Sequence, residues 1–349
     1  MGGGVSIALA TYNGEAYLQD QLSSFVAQTR RPDELVVSDD GSSDGTLSIL
    51  KDFARAAPFK VRLLPRGRRL GYADNFMRAA SACRGEFIAF SDQDDVWFPA
   101  KLEAGAAPLA QGAVLSLHTS ILTDKALRPT GLHRQGIHKT RTCPPLTLDP
   151  YLTGWGNTLM FRAALLGLIA SDKRPPQPER RHRPLSHDQW IFTLAAAFGP
   201  VAQLNVPLLY YRQHDHNVFG QRKMGPLVKA RISASDPIGR YTDRQAFYCE
   251  VGALFAALGD ADEGAVWARR AAEVYEDRRA YMAARIALYE DRSISNQARL
   301  APLILTAARA AGVPRRQALA ALLKDLLLGG LGASGTSRAS ADHAAPMLN

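Results

Sequence analysis

The sequence predicts an α/β fold with a mostly parallel central sheet and a C-terminal α-helical extension. Three observations carry that expectation. Short apolar runs alternate with amphipathic segments through the N-terminal part of the chain. Each apolar run ends in a polar cluster, and from about Tyr241 onward Ala, Leu and Arg recur at helical spacing.

Val5 to Ala10 is nearly continuous in apolar residues, as a strand covered on both faces should be. Glu15 to Gln28 follows as a helix, with Tyr17, Leu18, Leu22, Phe25 and Val26 on one face. Leu35-Val36-Val37 makes the second strand and runs into Ser38-Asp39-Asp40-Gly41. Asp44 caps a helix reaching about Ala54. Lys60 to Leu64 is a third strand, Asp74 to Cys83 a helix, and Phe87 to Phe90 a fourth strand that ends at Ser91-Asp92-Gln93-Asp94-Asp95-Val96-Trp97.

Beyond Pro99 the pattern loosens. A helix near Lys101 to Leu109 and a strand near Val114 to His118 precede an irregular basic stretch from Leu127 to Pro145. Thr158 to Phe161 reads as a strand and Ser171 to Pro184, rich in proline and arginine, as a loop. A helix over His187 to Phe198 and separate strands at Val201 to Asn205 and Leu208 to Arg212 come next. The expected domains are residues 1–220, with halves 1–110 and 111–220, a helical region 221–332 and a disordered tail 333–349.

The 349 residues are 46% hydrophobic and 21% charged, which suits a folded protein. A net charge of +9 points to an anionic partner: nucleic acid, acidic lipid or a phosphorylated substrate. The basic residues are scattered and no nucleic-acid-binding motif occurs, so nucleic acid is not expected. Cys83, Cys143 and Cys249 lack CxxC spacing, and no apolar run is long enough to span a bilayer. The expected setting is the cytoplasm. Met1-Gly2-Gly3-Gly4-Val5-Ser6 matches a loose myristoylation pattern, but the glycines are better explained by where the chain starts.

In open α/β sheets ligands bind beyond the carboxyl ends of the strands. Ala10-Thr11-Tyr12-Asn13, Asp39-Asp40-Gly41-Ser42 and Asp92-Gln93-Asp94-Asp95 all fall there. Carboxylates gathered at one edge repel unless a cation relieves them, and a hard divalent ion with oxygen ligands answers that need. A dinucleotide-binding dehydrogenase is excluded, because Ala10 to Glu15 does not supply GxGxxG.

The ordered set Thr11-Tyr12-Asn13, Asp39-Asp40-Gly41-Ser42, Gly85-Glu86-Phe87-Ile88 and Asp92-Gln93-Asp94-Asp95 resembles the donor half of the inverting glycosyltransferases of family 2, which share the GT-A fold. Tyr210-Tyr211-Arg212-Gln213-His214-Asp215-His216-Asn217 is similar to a Tyr-Arg-x-His-x-x-Asn stretch in a rhamnosyltransferase-like branch. The likeness covers the first 220 or so residues.

It implies a UDP- or dTDP-sugar donor, a saccharide or lipid-linked saccharide acceptor, a divalent cation (Mg²⁺ or Mn²⁺) and work at the inner face of the membrane in surface polysaccharide synthesis. Asp40 would accept a hydrogen bond from the base imide, and Ala10, Thr11, Tyr12, Asn75, Asp92 and Gln93 would help hold the donor, with capping of the following helix as the alternative for Asn75. Asp94, with Asp92, would take the metal. Arg212 and His214 would clasp the diphosphate. Asp188 would be the general base, with helix capping as its alternative. Trp155, Gly156, His187 and Trp190 would shape the acceptor side, Trp190 as a stacking face.

Other readings stay open here. His214, Asp215 and His216 could form a transition-metal site, and the chain could be a silent sugar-nucleotide-binding relative or a Mg-dependent phosphohydrolase. The amphipathic segments Leu300 to Ala311 and Gln317 to Leu328 suit a membrane surface, a second subunit or packing on the catalytic domain.

Overall fold

The computed structural model describes residues 3–152, 154–178, 180–215, 236–261, 265–291 and 293–330. The expected tail at 333–349, the Gly2 motif, and His216 and Asn217 lie outside the described residues. The described residues within Met1–Gly225 and Ala246–Glu276 form one compact unit, and those within Pro226–Gln245 and Asp277–Asn349 form a second.

The first unit is built on a ten-stranded sheet. Its strands are β1 (Val5–Thr11), β2 (Glu34–Asp39), β3 (Lys60–Leu63), β4 (Phe87–Ser91), β5 (Val96–Trp97), β6 (Leu115–Thr123), β7 (Pro129–His133), β8 (Arg141–Cys143), β9 (Leu159–Arg162) and β10 (Val201–Arg212). The order is β3-β2-β1-β4-β9-β6-β10-β5, with β7 on β6 and β8 on β10. From β3 to β4 the strands are parallel, as the alternating pattern predicts. Beyond β4 the sheet is mixed, with β9 antiparallel to both β4 and β6. Every residue of β1 is buried, because it has strands on both sides and helices on its faces.

Helices α1 (Leu18–Val26), α2 (Thr46–Ala56), α3 (Tyr72–Ser81), α4 (Lys101–Ala110) and α5 (His187–Phe198) cover the sheet. Phe25, Leu22 and Leu18 of α1 meet Leu9, Trp97 and Leu102 in the core, and the Phe25 ring stands edge-on to Trp97 at 4.8 Å.

Two expectations need correction, and one strand had no reading in the sequence. The basic stretch after Leu127 is not irregular: it holds β7 and β8, whose exposed residues conceal any apolar alternation. Val201 to Arg212 is one strand, not two, because Pro207 is accommodated by register shifts rather than by a break. Val96-Trp97 pairs antiparallel with β10, a two-residue strand too short to show a period.

Among the described residues the further helices are α6 (Pro237–Ala261), α7 (Val266–Glu290), α8 (Ile294–Ala310) and α9 (Arg315–Gly330). Within the first unit, Phe247, Tyr248, Phe255, Trp267 and Tyr275 form an aromatic cluster, and Tyr248 Oη donates to Asp149. The second unit is pinned by Asp325, whose carboxylate accepts from Tyr241 Oη at 2.7 Å, Tyr289 Oη at 2.9 Å and Arg285 Nε at 2.7 Å. Among the described residues no helix is long and apolar enough to cross a membrane.

Candidate active site

A cavity of about 1260 Å³ opens at the carboxyl ends of β1, β2 and β4. It brings together Ala10, Thr11, Tyr12, Asp40, Asn75, Asp92, Gln93, Asp94, Trp155, Gly156, His187, Asp188 and His214. Two residues expected there are elsewhere. Trp190 is 1% exposed and packs in the core, since it lies two positions from Asp188 and so points to the opposite side of α5. Arg212 is buried behind the acidic loop, where its guanidinium donates to the carbonyls of Asp94 and Lys125 and to the Asp20 carboxylate and lies over the Tyr17 ring. It braces the loop and does not line the cavity.

On the β1–β2 side, Asp40 accepts backbone N–H bonds from Leu70 and Gly71 at 2.6 and 2.9 Å. Gly71 has φ +83°, which glycine adopts without a Cβ penalty, and this lets the loop before α3 turn back onto the carboxylate. Tyr12 and Gln93 are joined by two bonds, from Tyr12 N to Gln93 Oε1 and from Gln93 Nε2 to Tyr12 O. They tie the end of β1 to the acidic loop after β4. Arg69 stacks over the exposed Tyr12 ring at 4.1 Å and also lines the cavity. No periodic signal in the sequence marks Arg69; only its place in a loop opposite Asp40 does.

The acidic loop divides its carboxylates among different environments. Asp95 is fully buried, accepting from Asn157 Nδ2 at 2.6 Å and from the Arg212 backbone at 3.2 Å. Burial, and then the charge of Asp94, raise its pKa to about 8. Asp92 is pushed well above the usual carboxylate range by burial and by Asp95, Asp94 and Asp188. Asp94 Oδ2 lies 2.8 Å from His214 Nε2, and the His214 ring stacks on Tyr17 at 4.6 Å.

Beneath the loop sits Lys101, read from the sequence only as the start of a helix. Its ammonium contacts His118 Nε2 at 2.9 Å, donates to the Asn157 carbonyl and lies 4.3 Å over the Trp97 ring. Burial lowers its pKa to about 7 against the opposing pull of Asp95 and Asp92. Burial and the neighbouring ammonium hold His118 neutral.

Asp188 stands in the first turn of α5, where Oδ1 accepts from Ser186 Oγ at 2.5 Å and from the Gln189 backbone at 2.8 Å. That leaves Oδ2 outside these two bonds. His187 stacks face to face on Phe76 at 3.9 Å, and burial lowers its pKa to about 4, so the ring is neutral. A Cβ on Gly156 would stand 2.5 Å from His187 Nε2, so only glycine allows the turn to approach that ring. Both His187 ring nitrogens, Asn75 Oδ1 and Asn157 Oδ1 are buried without a hydrogen-bond partner, and all three residues line the cavity. Buried polar atoms in a folded protein are ordinarily satisfied, so this wall is suited to a polar ligand.

Among the described residues, no group of three or more His, Cys, Asp or Glu side chains could hold a metal ion by itself. Asp94 presents its carboxylate on the cavity wall, with Oδ2 already paired to the His214 imidazole and with Asp92 crowded nearby. That donor set fits Mg²⁺ or Mn²⁺ when a ligand supplies further oxygens, and a dication would relieve the crowded carboxylates.

The glycosyl transferase family 2 model matches residues 6–167. A dTDP-rhamnosyl transferase, RfbG of Shigella flexneri, is 37% identical over 221 residues, which is 61% of this chain and 73% of that protein. An uncharacterised protein of Mycobacterium tuberculosis is 27% identical over 223 residues, 62% of this chain, and the match spans only 60% of its length. Among solved structures, S. aureus TarS in complex with UDP-GlcNAc has the same fold at 18% identity, with a TM-score of 0.53, covering 93% of this chain and 89% of that one. With these matches and the GT-A arrangement of its sheet, the chain belongs to glycosyl transferase family 2.

Proposed function

We propose that the protein transfers a sugar from a UDP- or dTDP-sugar to a hydroxyl of a saccharide acceptor, with inversion at the anomeric carbon. The observation that carries this reading is a single cavity lined by the Asp94–His214 pair, by Asp188 and by three residues with orphaned buried polar atoms. Deoxythymidine diphosphate rhamnose is the favoured donor, because RfbG is named for a dTDP-rhamnosyl transfer. A lipid-linked saccharide in surface polysaccharide synthesis is the proposed acceptor.

Asp188 takes the acceptor hydroxyl proton on Oδ2, while Ser186 Oγ and the Gln189 N–H hold Oδ1 and fix the carboxylate's orientation. The acceptor oxygen bonds to the anomeric carbon as the bond to the nucleoside diphosphate breaks on the opposite face. A divalent cation on Asp94, with Asp92 and His214 beside it, would offset the charge developing on the leaving diphosphate. Tyr12, under Arg69, and Asp40 wall in the base, and the orphaned atoms of Asn75, Asn157 and His187 are free to meet donor or acceptor hydroxyls.

A phosphohydrolase would use the same acidic loop, and it is separated by release of inorganic phosphate without transfer of a sugar. A silent binding relative is separated by turnover. The test is Asp188→Asn, assayed for transfer from dTDP-rhamnose and, by calorimetry, for nucleotide binding. Transfer falls roughly 10²- to 10⁴-fold with binding unchanged. Near-normal transfer by that variant would remove Asp188 from the role of base.

A further inference from the structure

Helix α9 carries a ridge of leucines that nothing in the described chain covers. Leu319, Leu323 and Leu327 recur every fourth residue and are 38%, 59% and 65% exposed. The same row begins with exposed Arg315, four positions before Leu319, and exposed Arg316 is adjacent. The face is fixed outward from within. Asp325, on the opposite side of α9, is held by Tyr241, Tyr289 and Arg285, so the helix cannot roll to bury its leucines without breaking three buried bonds. Exposed Leu303 and Arg309 on α8 extend the same character. Asp325 is the one acidic residue in the sequence of the two helices, so their exposed faces are cationic throughout.

We propose that this leucine ridge with its arginines rests on an anionic lipid surface, lying in the interface rather than crossing it. Charge complementarity selects that occupant. A face for an ordinary protein partner would be expected to mix both signs around its apolar centre, whereas this one offers only positive charge beside leucine. The inference does not depend on the donor or on the reaction.

Flotation of the full chain with vesicles of phosphatidylcholine, with and without phosphatidylglycerol, tests it. The protein floats with the anionic vesicles only, and less as salt is raised. The Leu319→Ser/Leu323→Ser/Leu327→Ser variant and the Arg315→Glu/Arg316→Glu variant each weaken partition roughly tenfold or more. Circular dichroism and nucleotide binding stay at wild-type values; the arginine pair, being fully surface-borne, remains informative if the leucine triple loses helicity. Failure to float, or equal binding to neutral vesicles, overturns the proposal. So does a leucine variant that turns a dimer into a monomer in light scattering while vesicle partition is unchanged, because the ridge would then join two copies of the chain.

Discussion

Asp94 and Asp95 are neighbours in sequence, and their surroundings set them to different tasks. Asp95 is sealed between Asn157 and the backbone of β10, so its carboxylate shapes the loop, whereas Asp94 faces the cavity beside His214. Asp94→Asn is therefore expected to weaken cation-dependent nucleotide binding by roughly tenfold to a hundredfold, on the scale of a lost metal contact, with little change in melting temperature. Calorimetry with and without Mn²⁺ checks it. His187 gives a second prediction. Its folded-state pKa of about 4 lies below the ordinary 6.5, so the unfolded chain takes up the proton first as pH falls. The stability tied to its neutral form is complete above pH 6.5 and is lost as pH drops towards 4, by up to about 3 kcal/mol. His187→Phe keeps the stack on Phe76 and removes that acid-side slope, which urea unfolding at pH 7 and pH 5 reads directly.

At the level of elements, β10 ties the far half of the sheet to the acidic loop through Arg212. The guanidinium satisfies the Asp94 and Lys125 carbonyls, and removing it as Arg212→Met leaves both without that donor. A loss of about 2–4 kcal/mol is expected, seen as a lower urea midpoint, together with a looser Asp94. The parallel strands β1 to β4 were legible because a strand buried on both faces writes a continuous apolar run. Asp40, Asp94 and Asp188 were legible as positions because each follows or opens a regular element. The antiparallel additions were not: β5 has two residues, β7 is almost wholly exposed, and β8 has three residues. Arg212 and Trp190 show the same limit from the other side. A residue type suited to a ligand is equally suited to bracing a loop or filling a core, and only the direction of its side chain decides. Lys101 escaped notice for the reverse reason, since a lysine opening a helix ordinarily stays in water, while this one is buried against His118 and Asn157.

For the whole molecule, most of the net charge of +9 falls in the second unit, whereas the cavity of the first gathers the carboxylates of Asp92, Asp94 and Asp188 with Asp95 buried behind them. An acidic pocket in a basic protein accepts a dianionic nucleotide only when a cation enters with it, so cation and donor should bind as a linked pair. The direct measurement is calorimetric titration of dTDP and of UDP into the wild-type protein in the presence and absence of Mn²⁺. Saturable binding of at least one nucleotide with Mn²⁺, at least tenfold weaker without it, is the predicted result. Absence of binding for both nucleotides, or affinity indifferent to the cation, would contradict the assignment of this cavity to a metal-assisted sugar-nucleotide donor.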